Sequence, residues 1–503
     1  MRFQMKGDYY NGAFQLPSST VSDLKLIERF CPGNTEEKLW QVPTSHSVLD
    51  PIKDSAIEGY KSWKKLSYDQ RANYLVKYRE AVTRRKEEIA EAIAWEVGKP
   101  LWEARTEAGA LAAKVNVTLG DSLKRIEDKL YPDIMANTQG LVTNRPIGPC
   151  LVIGPFNFPC HLANGQILSA LLAGNSVIFK PTGRALYCGQ LMLECFDEAG
   201  FPPGVINLIN GRGNVATELM KEKEIKGIFF TGSTGVGRHI MQTTHGDFNK
   251  MVALEMGGKN CSIVHSDANT KQALAELIKA CFLTTGQRCT STSIIAIHRS
   301  LQNQFIEQFH QVAKRIIVDH PVEWQREPFM GPLVDQNAKQ SYLDFMQLGA
   351  KEGAEAIMPG VSLELKHPGH YVSPSIHLLE KPQFDGSFFK EEIFGPNCTF
   401  VPYDTIEEAI AINNAGDYGL AAGVFTADDE VFSKCLSELE NGVINRNRSS
   451  VGANSRLPFG GVKNSGNYRP AAVATIDACV HPVACLQVPA NEDGDLSGIV
   501  GLE

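Results

Sequence analysis

The sequence predicts an α/β protein of two doubly wound domains with a small additional strand region. Three observations carry this. At 503 residues the chain exceeds the usual size of one hydrophobic core, so two or three domains are expected. From Gly148 onward, apolar runs at Cys150 to Ile153, Ser176 to Phe179, Val205 to Ile209, Gly227 to Phe230 and Met251 to Leu254 alternate with helical stretches. Brief buried strands separated by helices imply a parallel sheet covered on both faces. A second series of the same kind runs through Cys261 to Val264, Ile294 to Ile297, Cys398 to Val401 and Gly423 to Phe425.

The elements on either side follow from local signals. Ser67 with Gln70 three residues on forms a capping-box pattern, and Gly98-Lys99-Pro100 supplies a stop, so one long amphipathic helix is predicted between them. A further helical pattern runs from Leu101 to roughly Leu130, which makes the region before the sheet helix-rich. Near the C-terminus the apolar run His481 to Pro489 is either an edge strand lent to a neighbouring subunit or a strand completing its own sheet. No internal repeat or low-complexity segment is present.

Composition excludes several functions. With 43% hydrophobic and 21% charged residues the chain reads as an ordinary globular protein. A net charge of -8, a pI near 5.9 and the acidic run Asn491 to Asp495 argue against nucleic-acid binding, which needs clustered Lys and Arg. The start MRFQMKGDYYNGAF lacks the apolar core of a secretory signal, so a cytoplasmic location is expected. The most apolar stretches are far shorter than the roughly 20 residues that cross a bilayer, so no membrane span is expected. The 12 cysteines include no Cys-x-x-Cys pair and no zinc-ligand spacing, so no metal site and no disulfide framework is expected.

Five segments carry candidate chemistry. In Gly286-Gln287-Arg288-Cys289-Thr290 a cysteine follows a predicted helix in a polar loop beside a cation, where nearby amides and Arg288 can favour the nucleophilic thiolate. An inert loop cysteine would look the same. Glu255 ends a predicted buried strand and precedes Gly257 and Gly258; apolar surroundings would raise its pKa and suit it to general-base work, although a solvated strand-end charge fits equally. Asn157, held between Pro155 and Pro159, could donate to developing oxyanion charge or merely occupy a turn.

Lys180 closes the strand Val177-Ile178-Phe179, at the carboxyl edge where open α/β sheets bind ligands. The cluster Phe230-Thr231-Gly232-Ser233-Thr234-Gly235-Val236-Gly237 links a strand to a helix whose first amides could meet a pyrophosphate. It lacks the G-x-G-x-x-G spacing, and a glycine turn there needs no ligand.

Taken together, and with Glu392-Ile393-Phe394-Gly395-Pro396 and Pro458-Phe459-Gly460-Gly461, these segments resemble the aldehyde dehydrogenase superfamily in the expected order along most of the chain. The resemblance implies Cys289 as nucleophile, Glu255 as base, and Asn157 with the Cys289 amide as oxyanion hole, with Lys180 also at the catalytic centre. It implies NAD or NADP held by Ile153, Pro155, Phe156, Lys180, Gly213, Phe230, Gly232, Ser233, Gly237, Glu255, Gly257, Glu392 and Phe394. Lys180 and Glu392 would hold ribose hydroxyls, and Phe394 would pack near the nicotinamide ribose. It further implies an NAD(P)-binding domain at 1–127 and 147–257, a catalytic domain at 258–464, and an oligomerisation region at 128–146 and 465–503, giving a homodimer or homotetramer.

Retention of Glu255 favours hydrolysis to a free acid over transfer to coenzyme A. After Lys180-Pro181 many relatives place a carboxylate that repels a 2′-phosphate; here Thr182, Gly183 and Arg184 follow, which opens NADP use beside the slightly preferred NAD. The segments Gly98 to Ala104, Asn157 to Gly165 and Ser465 to Pro470 resemble the branch acting on N-succinylglutamate 5-semialdehyde in bacterial arginine degradation. Arg446 and Arg448 could meet such a substrate's carboxylates or be solvated, with Phe459 in the tunnel wall. Thr290-Ser291-Thr292-Ser293 and Arg446 depart from that branch, leaving glutamate 5-semialdehyde or simpler aldehydes open. A cysteine hydrolase without dinucleotide and a non-enzymatic role are the competing readings.

Overall fold

The computed structural model describes residues 1–381, 384–490 and 499–501, so the acidic run 491–495 lies outside the described residues. Two seven-stranded sheets form the body of the protein. The first runs Met251–Glu255, Gly227–Thr231, Cys150–Ile153, Val177–Lys180, Ile206–Leu208, Asp8–Tyr10 and Ala13–Gln15 across its width. Its first five strands are parallel; the last two form an antiparallel edge. Successive residues of one strand point into different cores: Cys150 and Val152 enter one, Leu151 and Ile153 the other. Burial on both faces is why these runs lack polar alternation.

The second sheet repeats the design. Its order is Glu355–Met358, Ser375–Leu378, Asn397–Tyr403, Thr292–His298, Asn260–Val264, Ala421–Phe425 and Val443–Arg446. Ile294 and Ala296 face one core while Ile295 and Ile297 face the other. The predicted class, two sheets each covered on both faces, is what forms.

The first sheet also fixes where a ligand can sit. From Cys150–Ile153 the chain adds Val177–Lys180 on one side and later Gly227–Thr231 on the other, so strand order reverses between these neighbours. Crevices of α/β sheets open at the carboxyl ends of strands at such a switch point. The Gly154 to Pro159 turn and the Gly232 to Gly237 turn leave the two strands there.

Three expectations are corrected. The N-terminal region is not helical throughout: Lys25–Cys31 and Asn34–Thr44 pair antiparallel, with Ile27, Arg29 and Cys31 inward and Leu26, Glu28 and Phe30 outward. Ser67 to Gly98 forms two helices, Tyr68–Arg84 and Lys86–Val97, parted at Arg85 (φ −94°, ψ 16°). Arg85 there reaches Glu88, Glu194 and Glu198, contacts that favour this break over a continuous helix. The capping box at Ser67 and the left-handed Gly98 cap form as predicted. The next helix stops at Val117, and Leu130 belongs to a strand, Lys129–Met135.

That strand and Thr138–Pro146 build a three-stranded sheet with Val480–Gln487, which pairs antiparallel from Val480 opposite Pro146 to Gln487 opposite Gln139. The C-terminal apolar run thus completes a sheet of its own chain. Its outer edge has no strand beside it among the described residues.

Candidate active site

The helix Thr270–Phe282 delivers the chain into a tight turn, Leu283–Gly286, where Thr284 and Thr285 both adopt left-handed backbone (φ 56°). Such strain persists only when the surroundings over-determine it. Here they do. The Glu103 carboxylate accepts from the Thr284 amide at 3.0 Å, from its hydroxyl and from the Arg288 guanidinium, while Gln287 accepts from the Val334 amide at 3.0 Å. Beyond the turn, Asn260 donates to the Cys289 carbonyl at 2.7 Å and the Ser291 carbonyl at 2.9 Å. Cys289 is fixed from both sides.

Its thiol lines a cavity of about 380 Å³ together with Trp102, Phe158, Leu162 and Phe459. Burial, then Glu392 and Glu255, push the thiol up to about 12, and Arg288 lowers it only partly. That guanidinium is committed to Glu103 and lies 5.0 Å above the Phe158 ring. Arg288 thus acts in the expected direction on the thiol but offsets only part of the effect of burial.

Glu255 is 5% exposed at the end of Met251–Glu255. Its Oε1 accepts from the Ala471 amide at 3.3 Å, whereas Oε2 is buried with no partner. Burial holds this carboxyl well above the usual range. It borders a second cavity of about 220 Å³ with Gly460, Gly461 and Pro470. Ala471 lines the Cys289 cavity and the preceding Pro470 lines the second, so the two spaces are neighbours along this segment. A side chain at Gly460 would bring its Cβ to 3.0 Å from Glu255 Oε1. Asn157 is buried; its Oδ1 accepts from the Phe158 amide at 3.1 Å, and its side-chain amide donates to no protein group among the described residues.

The expected cofactor contacts lie along the switch-point crevice. Lys180 is buried beside Ile153, donates to the Pro181 carbonyl at 2.9 Å, and burial brings its amine down to about 8. Pro155 and Phe156 are half-buried, and the Phe156 ring meets Phe394 edge-on at 5.7 Å. Phe394 itself has left-handed backbone (φ 51°). Gly232 donates to the Glu255 carbonyl at 3.0 Å beneath Phe230, and exposed Ser233 opens the helix Thr234–Thr244. Gly237 must be small because its Cβ would meet Met256 Sδ at 2.3 Å. Glu392 accepts from the Gly258 amide at 2.9 Å, and burial raises its carboxyl to about 7. Any Cβ on Gly257 would collide with that carboxylate at 2.0 Å, whereas Gly213 and Gly235 face open space. A buried amine with one protein acceptor, open backbone at helix starts and a carboxylate seated on glycine suit a dinucleotide.

Against known proteins, the sequence model of the Aldehyde dehydrogenase family matches residues 20–482. The chain belongs to this family. It is an aldehyde-oxidising oxidoreductase, and enzymes of the family use NAD or NADP. The chain is 34% identical over 492 residues to an N-succinylglutamate 5-semialdehyde dehydrogenase of Legionella pneumophila (strain Corby), spanning 97% of this chain and 96% of that protein. Among solved structures it resembles a 1-pyrroline-5-carboxylate dehydrogenase from Thermus with bound NAD (26% identity, TM-score 0.88, 96% of this chain and 92% of that one). It resembles an NADP-dependent enzyme of E. coli to a similar degree (26% identity, TM-score 0.90, 96% and 98%).

Not every candidate of this aldehyde dehydrogenase converges. Phe459 lines the Cys289 cavity, but Arg446 and Arg448 do not. Arg446 turns to the helix Asp429–Glu438, where it reaches the Asp429 carboxylate at 2.5 Å and lies 5.1 Å over Phe432; Arg448 is exposed. Arg184, expected to be free for a phosphate, pairs with Asp335 at 2.6 Å and stacks on Phe156 at 5.1 Å. Sequence reading also passed over Glu103, Glu107 and Lys114, although four- and seven-residue spacing puts all three on one face of the helix Leu101–Val117. Polar residues on a buried stripe were the available signal. Asn260 gave none, since its partners come from distant segments.

Proposed function

We propose that this enzyme oxidises an aldehyde to a free carboxylic acid through a thioester on Cys289. The observation that carries the reading is that two neighbouring cavities, lined by the adjacent Pro470 and Ala471, hold the Cys289 thiol and an unpartnered Glu255 oxygen. Once its proton has passed to solvent, Cys289 sulfur attacks the aldehyde carbon, and the Asn157 side-chain amide with the Cys289 amide stabilises the resulting oxyanion. In the crevice its residues line, NAD(P) would supply the hydride acceptor that lets the adduct on Cys289 collapse to a thioester. Glu255 then takes a proton from water as that water attacks the thioester, and the acid departs with Cys289 restored as the leaving group.

Ile153, Pro155, Phe156, Lys180, Gly213, Phe230, Gly232, Ser233, Gly237, Gly257, Glu392 and Phe394 would hold the dinucleotide over the first domain. Commitment of Arg184 to Asp335 engages the guanidinium that follows Lys180-Pro181 and supports the preference for NAD. N-succinylglutamate 5-semialdehyde is the substrate that the similarity to the Legionella enzyme favours. The test is absorbance of the reduced nicotinamide with NAD or NADP against a panel of aldehydes. Rapid reduction with succinylglutamate semialdehyde is expected; reduction with uncharged aldehydes alone overturns the substrate, and none with any aldehyde turns to the hydrolase reading.

A further inference from the structure

The Cys289 cavity is lined by a cation that has no partner among the described residues. Lys114, on the helix Leu101–Val117, is 4% exposed and lines this cavity, yet its ammonium has neither a hydrogen bond nor an ion pair among the described residues. The carboxylates that share the cavity are already engaged. Glu103 holds Arg288 and Thr284; Glu107 forms a buried pair with Lys99 at 2.5 Å and accepts from the Cys160 and His161 amides at 3.1 and 3.2 Å. Arg288, the other cation of the lining, is taken by Glu103. His161 next to Lys114 is held neutral, its imidazole pushed down to about 4 by burial and by Lys114 and Lys99. Burial alone draws the Lys114 amine down to about 8.

A buried charge is retained at a cost unless a partner arrives. Space for the lysine is also provided: at Gly165 on the facing helix a Cβ would sit 2.9 Å from Lys114 Cε. Lys114 stands eleven residues, roughly 16 Å of helix, beyond Glu103, with its side chain tilted back toward the helix start and so toward the cysteine end. The distance suits a long aldehyde charged at its far end rather than a short one.

We propose that Lys114 is the receptor for a carboxylate carried by the aldehyde at the end remote from its reacting carbon, and that this pairing selects carboxylated over uncharged aldehydes. The inference rests on the aldehyde-oxidising reading of Cys289 and adds the residue that sets substrate class. It assigns to Lys114 the role that Arg446 and Arg448 cannot fill from outside the cavity.

The test compares kcat/KM for N-succinylglutamate 5-semialdehyde and for an uncharged straight-chain aldehyde in wild type, Lys114→Met, Lys114→Arg and Gly165→Ala. Losing one charge-assisted bond should lower the carboxylated-to-uncharged ratio in Lys114→Met by at least about tenfold, through KM more than kcat. Lys114→Arg should recover most of the ratio, and Gly165→Ala, which displaces the lysine without removing it, should lower it. A wild type that prefers the carboxylated aldehyde, with the same ratio in Lys114→Met, overturns the role of Lys114 while leaving the substrate reading intact. A wild type that prefers the uncharged aldehyde overturns both.

Discussion

At the scale of single residues, the chemistry of Cys289 depends on groups that withhold charge from it. Arg288 is adjacent in sequence, but Glu103 claims its guanidinium, and it offsets only part of the rise that burial gives the thiol. Glu255 serves as a base only when ionised, and its burial shifts ionisation well above the ordinary glutamate range. Turnover should therefore fall on acidification from a higher pH than a solvated glutamate would dictate, and Glu255→Gln should remove that limb from the kcat profile. A profile of the same shape in both proteins would contradict the assignment. Cys289, Glu255 and Asn157 were legible because each ends or follows a recognisable strand or helix. Glu103 and Asn260 were not, because what they hold comes from distant segments: Glu103 and Thr284 are 181 residues apart.

At the scale of elements, strands buried on both faces announced themselves as continuous apolar runs, and all nine such runs in the two series form strands. The N-terminal hairpin was missed because half of its side chains face outward and dilute the apolar signal. The break at Arg85 was missed for another reason: no glycine or proline marks it, and it is held by ion pairs to Glu194 and Glu198 on a different helix. The cap at Ser67 was legible since both of its bonds are local, with amide to Gln70 Oε1 at 2.8 Å and Gln70 amide to Ser67 Oγ at 3.2 Å. Ser67→Ala should cost about 1 kcal/mol, read as a lowered midpoint in urea at unchanged slope. No change in midpoint would mean that the helix start is held by packing alone.

At the scale of the whole molecule, the three-stranded sheet carries exposed Leu130, Tyr131, Ile134 and Met135 on one edge strand, Lys129–Met135, and Leu486 on the other, Val480–Gln487. Exposed apolar side chains along an unpaired edge mark an association surface. The expectation of a dimer or tetramer belongs here: sedimentation should give an assembly for the wild type and a shift to monomer for Leu130→Asp combined with Leu486→Asp. A monomeric wild type would contradict it. No helix among the described residues is long and apolar enough to cross a membrane. The chain passes from the first seven-stranded sheet to the second between Met251–Glu255 and Asn260–Val264.

The central claim is the Cys289 thioester resolved by Glu255, and rapid mixing at the reduced-nicotinamide band tests it most directly. With saturating aldehyde and NAD, Glu255→Gln should give a burst of about one reduced cofactor per site followed by slow turnover, while Cys289→Ser gives no reduction. Steady turnover at the wild-type rate in Glu255→Gln, or retained reduction in Cys289→Ser, would contradict the account.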